Sequence, residues 1–367
     1  MLTKILSIDL SSVPVMFWVI LSFILSGIIS FLIIPPIIQT ARRNKVLDTP
    51  NKRTSHNTPT PRLGGIAIFF SLLITLAVCD ELIWEVGYHT SLYVALFIIF
   101  LTGALDDFTN LNPWKKLLAQ FLVAGIIIFG MDISINNLYG LAGIEEIPIY
   151  ISSALTALVI IVIINAFNLI DGINGLSGSM TILTSAIFGI WFFLIGEYIY
   201  SVLACALVGA TISFLYFNWS PSKIFLGDSG SLLNGTIVSI LFIAFLNQHQ
   251  YLPDELVWKV DASPVVAISI LMIPLFDTFR VFIVRILSGK SPLSPDRNHI
   301  HHILIDAGYS HSQATLVLLF INIVFVLAAF GLNFIGSIAL YMLIITMLSI
   351  IASLFAYIRV RNRQRAS

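Results

Sequence analysis

Eleven apolar stretches, at 13–38, 63–78, 91–105, 117–131, 149–169, 179–195, 199–217, 231–246, 264–287, 314–332 and 335–358, occupy most of this 367-residue chain. A bilayer core about 30 Å thick takes about 20 apolar residues of helix to cross. Stretches of that length, repeated this often, leave little chain from which to build a water-facing surface. Composition agrees: 58% of the residues are hydrophobic and 10% are charged, against about 25% charged in soluble domains. The expectation is therefore an all-α polytopic membrane protein of about eleven transmembrane helices, forming a single integral membrane domain over 1–367. Disordered and disulfide-scaffold classes are excluded. The 19 basic and 19 acidic residues cancel and leave no long basic face for nucleic acid. Cys79 and Cys205 both lie in apolar runs and read as small buried hydrophobes.

Stretch 13–38 follows one lysine and no small-residue cleavage site, so it reads as a retained first helix. Lysine and arginine set the orientation. With the connection 39–62 placed in the cytoplasm, alternation puts 17 of the 19 basic residues on that side, including Lys116, Arg297 and the basic tail 359–367. Only Lys4 and Lys259 lie elsewhere. The N-terminus is thus expected outside and the C-terminus in the cytoplasm.

Four polar groups interrupt the apolar pattern. Asp106 and Asp107 end the third stretch. They read either as solvated interfacial acids or as groups meeting a cation or a proton, since acids at a helix C-terminus oppose its dipole. Asn165, Asn168 and Asp171 recur every third residue, a spacing that shares one helix face. Asparagine alone can be interhelical glue, but a carboxylate at the membrane edge is a functional candidate. Asp228 in Gly-Asp-Ser-Gly is either a helix N-cap or a Mg²⁺ ligand beside a loop open to phosphate. His299, His301 and His302 follow Arg297. They suggest zinc at first sight, but the carboxylates suit a harder cation, and histidines with an arginine can bind diphosphate oxygens. Asp277 and Arg280, three apart, read as an intrahelical ion pair. All four groups fall on the cytoplasmic side. That favours one site there over a transporter, whose polar groups would line a path across the membrane.

Together, Leu-Asp-Thr-Pro-Asn-Lys-Arg-Thr-Ser-His at 47–56, Pro-Arg-Leu-Gly-Gly at 61–65, Asp106–Asn110, Asn168–Leu176, Gly227–Gly230 and His299–His302 resemble the polyprenyl-phosphate N-acetylhexosamine-1-phosphate transferases. The branch is that of the bacterial undecaprenyl-phosphate N-acetylglucosamine-1-phosphate transferases, and the eleven-span topology matches it. The resemblance implies transfer of a sugar 1-phosphate from UDP-GlcNAc, or another UDP-N-acetylhexosamine, to undecaprenyl phosphate with release of UMP. It implies a bacterial plasma (inner) membrane location with a cytoplasmic-face site, and a Mg²⁺ or Mn²⁺ requirement. Asp228 and Asn168 then match the metal ligands, Asp106 and Asp107 the acidic pair with Asp106 as base, and Asp171 an essential acid near the donor. Lys116 matches a phosphate-holding lysine. Asp48, Arg297, His299, His301 and His302 match substrate-binding positions. Partners are the nucleotide sugar, the lipid phosphate and membrane lipid, with no nucleic acid; a homodimer is left open. Asn174 stands where many bacterial members carry a second Asp, and His-Ile-His-His differs from the three consecutive histidines of the peptidoglycan branch, which counts against a MurNAc-pentapeptide substrate.

Overall fold

A computed structural model describes residues 14–48, 59–83, 88–141, 144–249, 251–253, 255–260, 262–289, 298–335 and 337–366. The elements are α1 (Val15–Arg43), α2 (Gly64–Ile83), α3 (Tyr88–Thr109), α4 (Pro113–Gly125), α5 (Ile149–Leu169), α6 (Leu176–Ile195), α7 (Tyr198–Asn218), α8 (Gly227–His249), α9 (Ser263–Ile270), α10 (Met272–Leu287), α11 (Ile300–Asp306), α12 (His311–Gly331) and α13 (Ser337–Ala366). A wide helical turn, Ile126–Gly130, extends α4. Each of the eleven expected stretches falls on helix. Among the described residues nine helices are long and apolar enough to cross a membrane, the bent pair α9–α10 adds a tenth candidate, and α2 carries a shorter apolar segment, Gly64–Cys79. The all-α expectation needs one amendment. β1 (Asn137–Leu141) and β2 (Ile144–Glu146) pair antiparallel, Asn137 opposite Glu146, at the far end of α4 and α5 from Lys116 and Asn168. Cys79 and Cys205 are free thiols.

The bundle is organised around α8, which packs against α2, α3, α5 and α6. Its whole apolar window is buried, as expected of a helix that is hydrophobic all round. Small side chains set how closely its neighbours come. A Cβ on Gly65 of α2 would lie 2.1 Å from the Gly230 nitrogen, and one on Gly103 of α3 would lie 2.5 Å from the Asp228 carbonyl oxygen. The first turn of α8 is therefore in backbone contact with two other helices. Hydroxyls join α1 to α7 in the same fashion: Ser30 Oγ donates to the Ala210 carbonyl at 3.0 Å, and Ser213 Oγ to the Gly27 carbonyl at 2.7 Å. In hydrocarbon, small residues and interhelical hydrogen bonds hold helices together where the hydrophobic effect gives little.

Stretch 264–287, expected as one straight span, is broken at Leu271, where α9 and α10 meet at 80°. Pro274 has no N–H and its ring clashes with the carbonyl four residues back, which is that of Ile270. Asn322 of α12 repairs both exposed backbone groups: its Nδ2 donates to the Ile270 carbonyl at 2.9 Å, and its Oδ1 accepts the Ile273 N–H at 2.9 Å.

The close approach at Gly103 is directly testable. Gly103→Ala must push backbone against backbone, so detergent-solubilised protein should lose about 1–3 kcal/mol and melt several degrees lower. Gly125→Ala, where an added Cβ meets nothing within 4 Å, should be neutral or stabilising by up to about 1 kcal/mol. Equal melting temperatures for the two variants would overturn this account of the α3–α8 contact.

Candidate active site

The first N–H groups of a helix have no partner within it, and in α8 they include that of the buried Ser229. Asp107, from the end of α3, supplies the acceptors. Its Oδ1 takes the Asp228 N–H at 2.7 Å and its Oδ2 the Ser229 N–H at 3.0 Å. Asp228 is therefore not the cap of its own helix; a carboxylate from another helix does that work. The repulsion between neighbouring acids that the sequence presents is met partly within the protein, because Asp107 sits on the positive end of the α8 dipole.

Asp106 turns to a different partner. Its Oδ2 accepts from Lys116 Nζ at 2.9 Å, and its Oδ1 accepts the Leu111 N–H at 2.5 Å, closing the turn into α4. Lys116 Nζ also donates to Asp228 Oδ2 at 2.6 Å. Asn168, in the last turn of α5, donates through Nδ2 to Asp228 Oδ1 at 2.8 Å and to Ser231 Oγ at 2.9 Å. The Asp228 carboxylate is thus held by residues from α4 and α5, and α3 reaches it through Lys116. Asn165, one turn earlier, faces away: its Nδ2 donates to Gln120 Oε1 at 2.7 Å, an amide pair joining α4 and α5. The expected single face of Asn165, Asn168 and Asp171 does not persist, because α5 ends at Leu169 and Asp171 lies in the turn beyond.

A cavity of about 280 Å³ opens beside Asp228, lined also by Asp48, Arg62, Asp107, Asp171, Gly172, Asn174, Asn218 and His302. Asp48 and Arg62 pair across its wall, Nη2 to Oδ2 at 2.7 Å. His301 is buried and packs on Gly172, where an added Cβ would lie 2.2 Å from its Nε2. Burial, with His302 beside it, pushes the His301 pKa well below its ordinary value. His299 is turned toward Asp277 of α10, its Nδ1 2.9 Å from Oδ2. Asp277 and Arg280 form the expected ion pair at 2.9 Å. Arg297 lies outside the described residues. The structure thus gathers Asp48, Asp107, Asp171, Asp228 and His302 on one cavity. Asp106, Lys116 and Asn168 stand behind Asp228, and His301 behind Gly172. One participant, Arg62, and one pairing, His299 with Asp277, were missed. Arg62 stood in the Pro-Arg-Leu-Gly-Gly string without a role, although a cation two residues before Gly-Gly at a helix start was the available signal. The second bonding partner of Asp277 is separated from it by 22 positions and has no local signal.

Among the described residues no group of three or more His, Cys, Asp or Glu side chains could hold a metal ion alone. The donors at the cavity are nevertheless hard oxygens in excess of the nearby cations. Mg²⁺ commonly binds through one or two carboxylates, with water and substrate phosphate completing its shell. The residues present fit that mode.

Glycosyl transferase family 4 matches residues 89–246. A Bacillus subtilis protein described as a probable undecaprenyl-phosphate N-acetylglucosaminyl 1-phosphate transferase is 34% identical over 317 residues, covering 86% of this chain and 85% of its own. An undecaprenyl-phosphate alpha-N-acetylglucosaminyl 1-phosphate transferase of Haemophilus influenzae is 32% identical, covering 76% and 77%. A decaprenyl-phosphate N-acetylglucosaminephosphotransferase of Mycolicibacterium smegmatis is 28% identical, covering 84% and 81%. The fold and these likenesses define a multi-pass membrane phosphoglycosyltransferase. The chain belongs to glycosyl transferase family 4.

Asp171 provides a pH test. Burial, then the charges of Asp228 and Asp107, raise its pKa from 3.8 to about 8, with Arg62 pulling the other way. The folded state therefore binds more protons than the unfolded state between those values, and stability falls as pH rises through that window. Asp171→Asn should melt higher than the parent near pH 8, with the difference vanishing toward pH 4. A difference that does not change with pH would contradict the assignment.

Proposed function

We propose that this chain transfers N-acetylglucosamine 1-phosphate from UDP-GlcNAc to undecaprenyl phosphate, as the first membrane step of a cell-envelope polysaccharide. Its eleven spans then run from an outside N-terminus to a cytoplasmic C-terminus in a bacterial plasma membrane, with the site on the cytoplasmic face. The activities for which the relatives are named support the reaction, and the distribution of lysine and arginine supports the orientation.

The observation that carries the reading is the position of Asp228 between two differently furnished sides. One side is the polar cavity with Asp48, Arg62, Asp171 and His302, suited to a nucleotide diphosphate. The other is the Asp106–Lys116 pair, beside exposed Leu105, Phe108, Trp114 and Leu118 on α3 and α4, suited to a phosphate on an apolar chain. Donor and acceptor are both anions and repel, so the first task is to bring them together.

Lys116 and Arg62 contribute positive potential, and Asp106 keeps the acceptor phosphate deprotonated. An oxygen of that phosphate attacks the β-phosphorus of the donor. The bond from the β-phosphorus to the bridging oxygen breaks, and UMP leaves with its electron pair. Asp228 and Asn168 would hold a Mg²⁺ or Mn²⁺ ion, which when bound neutralises diphosphate charge. His301, through Gly172, and His302 shape the donor side. Positioning and electrostatics carry most of such a transfer.

Release of UMP from UDP-GlcNAc by purified protein, with undecaprenyl phosphate and Mg²⁺, tests the proposal. Asp228→Ala should abolish it, and chelation of the metal should do the same. Asp106→Asn should lower kcat by about 10²–10⁴-fold with donor affinity retained. Near-normal turnover by a folded Asp228→Ala protein at low Mg²⁺ would sink the metal assignment.

A further inference from the structure

We propose that Asp277 is a positioning residue that clamps the histidine-bearing helix α11 against the donor side of the site; this rests on the donor-binding reading above. Asp277 lies on α10 with no solvent exposure, a position where an ionised carboxylate is tolerated only if fully paired. Three donors meet it. His299 Nδ1 is 2.9 Å from Oδ2, and the Ile300 N–H and Arg280 Nη2 reach Oδ1 at 3.0 and 2.9 Å. Arg280 Nη2 also donates to the carbonyl of Asn298. One Asp–Arg pair on α10 therefore grips three consecutive residues, 298, 299 and 300.

Those residues are the entry to α11, which is seven residues long and too short to hold its own conformation. His299, at its N-cap position, makes no side-chain cap of its own. The Asp277 carboxylate replaces it by accepting the first helical N–H, and its negative charge suits that end of the helix. Because His299 gives its Nδ1 proton to a carboxylate, its ring plane is fixed, and His301 stacks on it at 5.5 Å with planes 7° apart. His301 in turn packs on Gly172, next to Asp171. A line of contacts runs from Asp277 through His299 and His301 to the cavity wall. Asp277 touches no cavity atom itself and acts through the histidines.

The test uses the full chain in detergent, by hydrogen exchange of peptides spanning 298–306 and by steady-state kinetics of UMP release. In Asp277→Ala, amides of 300–306 should exchange about tenfold faster or more, while α8 keeps its protection. The KM for UDP-GlcNAc should rise about tenfold, with kcat within roughly threefold, because donor binding loses order and the reacting groups do not change. Asp277→Asn, which retains an acceptor for the Ile300 N–H, should fall between the two. Unchanged exchange over 300–306, or a loss confined to kcat, would overturn the proposal. If Asp277→Ala loses protection throughout the bundle, His299→Ala decides: it leaves the carboxylate paired with Arg280, and faster exchange limited to 298–306 supports the clamp, whereas parental exchange there refutes it. If the parent releases no UMP, the donor-binding reading fails, and the exchange measurements still judge the clamp.

Discussion

The first N–H groups of a helix need acceptors from outside it, and α8, whose apolar window is wholly buried, takes them from another helix. The two hydrogen bonds from Asp107 to the Asp228 and Ser229 amides meet that constraint. They require the end of α3 to touch the start of α8, and Gly103 is what allows the backbones that close. Once the two ends meet, Asp106 on the neighbouring face of α3 is within reach of Lys116. Lys116 is then within reach of Asp228, and Asn168 closes on the remaining carboxylate oxygen. The polar centre is therefore a consequence of how the most buried helix begins.

The electrostatics follow from the same arrangement. Four aspartates, Asp48, Asp107, Asp171 and Asp228, line one cavity, and Arg62 is the one Lys or Arg among the described lining residues. Asp107 accepts from the first N–H groups of α8, and Lys116 pairs with both Asp106 and Asp228. Asp171 is raised by burial first and by the charges of Asp228 and Asp107 second, and Arg62 only partly offsets them. A site left with surplus negative potential of this kind favours a divalent cation brought in with an anionic substrate.

Much of this was legible in the sequence because lipid leaves few solutions. Apolar length located the helices, and every charge inside so apolar a chain is conspicuous, so Asp106, Asp107, Asp171 and Asp228 stood out singly. What could not be read was partnership. Asp106 and Asp107 are adjacent, yet about 100° of helical rotation sends one to Lys116 and the other to α8. Asn165 and Asn168 look alike in sequence and serve different ends, one in an amide pair with Gln120 and the other on Asp228. Stretch 264–287 reads as one span, and its 80° bend depends on a residue of another helix, about fifty positions away. His299 and Asp277 likewise meet only in three dimensions.

That distant residue, Asn322, bears on the order in which the molecule can be completed. A ribosome delivers α9 and α10 before α12. Until α12 arrives, the carbonyl of Ile270 and the N–H of Ile273 have no carboxamide to meet them. The nascent chain must then either keep these groups wet or hold the segment in another shape. The sharp corner belongs to a late stage of biogenesis, and α11, fastened to α10, is set with it. The donor side of the site is thus assembled from the last third of the chain onto a centre whose acids, from Asp106 to Asp228, were synthesised earlier.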